Sequence, residues 1–137
     1  MVITLKKNFD LTPNEQIVMD IFWNENKPLT SVDLAEHLTE NCKEWKNGYL
    51  HNLLKGLLDD KKILRITNIV QYGRRVAKQY EPTMSKEEYA AKVVSSLNFN
   101  KYSVSKIAYA IAKEVSGDDN KDIIEELEEI LSKLKEK

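Results

Sequence analysis

The sequence predicts a mainly α-helical chain interrupted by one small β hairpin. Glycine and proline are scarce, with four and three copies in 137 residues, whereas all-β folds need many turn residues. Apolar residues recur at helical spacing in successive stretches before and after the hairpin. Between them, Ile63 to Val70 is rich in β-branched residues, Tyr72-Gly73 supplies a turn signal, and Arg74 to Tyr80 alternates.

Each element has a local cause. In "LTPNEQIVMDIFW", Thr12 suits an N-cap, Pro13 the first helical position and Glu15 the capping-box position, and Ile17, Val18, Ile21 and Phe22 share a face. Pro28 closes the following "NENKP". In "LTSVDLAEHLTENC", Thr30 caps a second helix and Asp33 lies in the first turn, where the helix dipole favours a carboxylate. Val32, Leu34, Ala35 and Leu38 are expected to supply its apolar side. In "NGYLHNLLKGLL", Leu50, Leu53, Leu54 and Leu57 form the stripe of a third helix. "KKILRITNIVQYGRRVAKQYEP" reads as a hairpin with a basic tip, closed by Pro82. Ser85 and Glu88 then form a second capping box, before a helix with Tyr89, Val93, Val94 and Leu97 on one face. Val104, Ile107, Ala108, Ile111 and Val115 line the next, which Gly117 stops. Asp119 or Asn120 caps a last helix with a seam of Ile123, Ile124, Leu127, Ile130, Leu131 and Leu134. The chain therefore divides into units over about 10–83 and 85–137.

The net charge of −1 is unevenly spread. Lys/Arg and Asp/Glu number three and seven over residues 1–42, nine and three over 43–80, and nine and twelve over 81–137. A basic block between acidic ones marks an anion-facing surface, and this block coincides with the third helix and the hairpin. Three short helices followed by a basic hairpin describe a winged helix-turn-helix DNA-binding domain. Its third helix buries the leucines and offers Gly48, His51, Asn52 and Lys55 to the major groove, with Lys46, Asn47 and Tyr49 at its start. Asn52 suits an adenine edge and Lys55 a guanine or phosphate, and Gly48 permits close backbone approach. Arg74, Arg75 and Lys78 of the wing would face phosphates.

Residues 85–137 read as a helical dimerisation region. Their stripes carry more apolar surface than one small domain conceals, and a two-fold dimer through Leu97, Ile107, Ala108, Ile111, Val115, Ile124, Leu127, Ile130, Leu131 and Leu134 covers it. Two wings and two recognition helices would then meet a palindromic double-stranded DNA operator.

Composition excludes other classes. A single cysteine, Cys42, allows no internal disulfide and no CxxC zinc pair. His37 and Cys42 are too sparse for a soft-metal site. With two histidines and no glycine-rich phosphate loop, no catalytic residue and no cofactor is expected, and the chain reads as no enzyme. No apolar run reaches the ~18 residues of a spanning helix, so a cytoplasmic protein without membrane contact is expected.

"LTPNEQIVMDIFW", "LTSVDLAEHL", Trp45, "YLHNLLKGLLDDKKI" and "YEPTMSKEEY" resemble the penicillinase-repressor family over about residues 11–134. That family includes β-lactamase, methicillin-resistance and copper-responsive repressors. The resemblance implies a homodimeric winged-helix transcriptional repressor, with a sensor protease as a partner that relieves repression in the β-lactamase branch by cutting an Asn-Phe bond. Asn98-Phe99 is such a bond, but aligning the last helix on "IEEL" puts the family's cleavage position near Ile111-Ala112. The paired Cys-x-Cys motifs of the copper-responsive branch are missing from this sequence. It departs from the family at Lys46, where a small hydroxyl residue usually follows the tryptophan, and at Tyr49, Asn52, Gly56 and Asp59-Asp60-Lys61. The alternative reading is a protein-interaction winged helix that has lost DNA reading, motivated by Asp59, Asp60 and the negative net charge.

Overall fold

The computed structural model describes residues 10–41, 45–98, 100–116 and 121–136. Cys42, Phe99, Gly117, Asp119 and Asn120 lie outside the described residues. The contacts divide the chain into two compact units, Met1–Ser96 and Leu97–Lys137.

The first unit is a winged helix. Helix α1 spans Pro13–Glu25. The Thr12 hydroxyl accepts the Glu15 N–H at 3.2 Å, and the Glu15 carboxylate accepts the Thr12 N–H at 2.9 Å, so two otherwise orphaned amides are satisfied reciprocally. Asn26 ends the helix in the left-handed region. Strand β1, Leu29–Thr30, leads directly into α2, Ser31–Glu40. There Thr30 and Asp33 form the same reciprocal cap, which lets the Thr30 hydroxyl sit fully buried without a desolvation penalty.

Helix α3 spans Asn47–Lys55 and widens into a π-helical turn over Gly56–Asp60, closed by the Lys61 N–H to the Gly56 carbonyl at 3.0 Å. Strands β2, Leu64–Tyr72, and β3, Arg75–Pro82, complete an antiparallel sheet in the order β1-β3-β2. Tyr72 pairs with Arg75, leaving Gly73 and Arg74 as the loop. Gly73 has φ +61°, the positive value that the first position of a type II′ hairpin turn requires. A bulge at Thr67 shifts the register between Ile66 and Asn68.

Val18, Met19 and Phe22 of α1, Leu29, Leu34 and Leu38, Leu50, Leu53 and Leu54 of α3, Leu57 of the π turn, and Ile63 and Leu64 form one core. Each such side chain contributes roughly 1.5–3 kcal/mol on burial. Ile17 and Ile21 are only partly buried against it. Val32 departs from expectation. It stands 48% exposed rather than in the core, because it lies well over a quarter-turn away from Leu34 and Leu38 on the α2 wheel.

Helix α4, Lys86–Ser95, capped by Ser85 and Glu88, packs on the winged helix rather than away from it. Trp23 donates its indole N–H to the Met84 carbonyl at 3.0 Å and lies 5.9 Å from the Tyr89 ring, whose hydroxyl accepts the Leu11 N–H at 2.9 Å. The first compact unit thus extends through α4 to Ser96, beyond residue 83 where the sequence reading closed its first unit. The second unit holds a 3₁₀ turn, Lys101–Ser103, and helices α5, Val104–Ser116, and α6, Lys121–Lys135. Among the described residues, no helix is long and apolar enough to cross a membrane.

Candidate nucleic-acid interface

Helix α3 is held by its leucines, so its orientation is fixed by the core. Leu50, Leu53, Leu54 and Leu57 are buried, while Gly48, Tyr49, His51, Asn52 and Lys55 are exposed. Space beside Gly48 is open, with no atom within 4 Å of where a Cβ would stand. The helix start has no side-chain cap, because Lys46 occupies the N-cap position. Asn47 opens the helix, and its side chain lies outside the described residues.

The exposed residues of α3 fall into separate neighbourhoods. Tyr49 lies on the α1 flank, where its hydroxyl accepts from the Asn14 amide at 2.7 Å and its ring meets Trp45 edge-on at 5.2 Å. His51 lies on the opposite flank and faces the wing. Together with Ser31 and Val32 of α2 and Arg75, Val76 and Lys78 of β3, it lines a groove of about 700 Å³. Gly48, Asn52 and Lys55 project between these flanks, and Arg74 stands at the wing tip, outside that groove.

Electrostatics sharpen the division. Lys61 is consumed internally by a pair with Glu15, and Arg65 by a cross-strand pair with Glu81 whose Nε–Oε2 distance is 2.9 Å. Lys46, Lys55, Arg74, Arg75 and Lys78 are exposed and hold no ion pair among the described residues. These five cations of α3 and the wing are therefore free to meet an anion, and Lys62, exposed after the π turn, likewise holds no ion pair among the described residues. Asp59 and Asp60, exposed at the end of the π turn, are the local counterweight.

Sequence reasoning missed Val32 and Val76, exposed by 48% and 67% in the groove beside His51. The signal for Val32 was available in its helical angle, which opposes the Leu34–Leu38 side. Val76 shares a strand face with Lys78 and required the hairpin register.

In the second unit, Leu97, Ile111, Val115, Ile124, Leu127, Ile130, Leu131 and Leu134 are exposed by 40–78%, and Ile107 and Ala108 are half-buried. Tyr102, Val104, Ala108, Tyr109, Ile124, Leu127 and Leu131 are among the residues lining an apolar groove of about 710 Å³ between α5 and α6.

The helix order, the three-stranded sheet and the unpaired cations on α3 and the wing define a winged-helix protein of the regulatory kind. The chain belongs to the penicillinase repressor family, whose model matches residues 11–133, nearly its whole length. Members of this family are regulators rather than enzymes, and membership suggests a transcriptional repressor. No curated protein and no solved structure matches the chain significantly.

Proposed function

We propose that this protein is a sequence-specific DNA-binding repressor that acts in the cytoplasm as a homodimer on a palindromic operator. The observation that carries the reading is the segregation of unpaired cations. Of the basic side chains around α3 and the hairpin, Lys61 and Arg65 are neutralised by carboxylates, whereas Lys46, Lys55, Lys62, Arg74, Arg75 and Lys78 are exposed without an ion pair among the described residues and remain for phosphates. Asn52 on the open side of α3 offers the bidentate amide that suits an adenine edge. The exposed seam of α5 and α6 supports two-fold association, which would present two recognition helices to two half-sites. A sensor protease is the partner that the family resemblance implies for relief of repression.

The test is a binding titration of the protein against duplexes from its own promoter region over a salt series. Specific binding whose affinity falls with a steep log–log salt slope is expected. No specific complex at low salt overturns the reading. The exposed Asp59 and Asp60 favour a second reading, a winged helix that binds protein. A stoichiometric protein partner in a pull-down, with no DNA retained, is the result that would establish it.

A further inference from the structure

We infer that Val32, on α2 and outside the recognition helix, is a specificity-determining residue that reads the 5-methyl group of a thymine. The inference rests on the DNA reading above and deepens it.

Val32 occupies the second position of α2, directly after Ser31. It is 48% exposed, whereas Leu34 and Leu38 of the same helix are buried. Its methyls face the groove that His51 of α3 borders on one side and Arg75 and Lys78 of the wing on the other. Two exposed cations and the recognition helix flank this apolar spot, so its occupant carries negative charge around an apolar projection. A protein partner with a plain hydrophobic anchor does not match those flanks. A DNA duplex does, because its phosphates meet the cations and thymine methyl is the apolar group that a base pair presents on the major-groove edge. The Val32 side chain has no polar atom with which to contact phosphate, so its contribution falls on base identity and not on the salt-dependent part of binding. Val76, on the wing side of the same groove, is 67% exposed and closes it against sugar and backbone.

The experiment starts from duplexes selected by the full-length protein from a random pool. In the best duplex, thymines are replaced by deoxyuridine one at a time, which removes only the methyl. At one position per half-site, the wild type should lose about three- to tenfold in affinity. Val32→Ala should bind the thymine duplex weaker by the same factor, keep the wild-type salt slope, and no longer distinguish thymine from deoxyuridine at that position. Wild-type indifference to deoxyuridine at every position overturns the inference alone, as does a Val32→Ala variant that still discriminates. Selection of no duplex overturns the DNA reading and this inference together.

Discussion

Glu15 and Lys61 form a nearly buried ion pair that ties the first turn of α1 to the end of the recognition helix. The same Glu15 oxygen accepts the Thr12 N–H, and the Lys61 ammonium also donates to the Asp10 carbonyl at 2.7 Å. One carboxylate thus serves a helix cap and an interhelical tether at once. The side chains are only 14% and 10% exposed for Lys61 and Glu15, so removing one partner strands a desolvated charge.

Lys61→Met should therefore destabilise the winged helix by about 2–4 kcal/mol, read by urea unfolding monitored through tryptophan fluorescence. Adding Glu15→Gln should recover part of that loss, because no unpaired charge then stays inside. A single variant of wild-type stability would show that the pair contributes nothing.

The pair also marks how far the sequence could be read. The caps of α1 and α4 were legible because each is a local rule: a hydroxyl residue and, three positions on, a glutamate. The leucine stripe of α3 and the Tyr72-Gly73 turn were legible for the same reason. Glu15 and Lys61 are 46 residues apart, and no local pattern couples them, so Lys61 counted in the sequence as one more cation of the basic block. Arg65 was miscounted likewise, since its pairing with Glu81 depends on the hairpin register. The two-residue β1 is too short to leave a period, and its pairing with Tyr80 and Gln79 is set by tertiary packing.

Lys46 separates stability from binding. It holds the N-cap position of α3 with no side-chain acceptor for the first amides. Lys46→Ser should stabilise the fold by about 0.5–1 kcal/mol through a new cap, while lowering DNA affinity and reducing the salt slope by about one. Thermal unfolding and salt-dependent titration on the same sample check both. A variant that is more stable and binds with an unchanged slope would remove Lys46 from the phosphate-facing set.

Burial raises the Tyr80 phenol above its usual value of 10.0. Tyr89 is raised as well, chiefly by burial and further by the negative charges of Asp10 and Glu15, against a lowering from the Leu11 N–H. A raised folded-state value means that the native protein holds its phenol protons longer than the unfolded chain does. Stability is then fully present below about pH 10 and declines as pH rises through the folded values. Tyr80→Phe should flatten that alkaline decline with little cost at pH 7. Tyr89→Phe should flatten it too, but at a cost of about 1 kcal/mol at neutral pH, since the Leu11 N–H loses its acceptor. Urea unfolding between pH 7 and 11 distinguishes them, and an alkaline slope identical to wild type in both variants would refute the assignment.

The apolar face of α5 and α6 leads to a prediction about assembly. Leu131 is 54% exposed and lines the groove between these helices together with Ile124 and Leu127. Covered by a second copy, it leaves water, and a carboxylate placed there would be desolvated without a partner. Leu131→Asp should convert a dimer into a monomer in sedimentation equilibrium at micromolar concentration, while the helical signal of the winged helix persists, because Leu131 belongs to the other compact unit. Operator affinity should fall steeply, since one recognition helix engages one half-site without the second. Glu128→Gln, on the same helix at another exposed position, serves as the control that should leave association unchanged. A wild-type protein that sediments as a monomer would overturn the dimer, and a Leu131→Asp variant that remains dimeric would move the contact away from this seam.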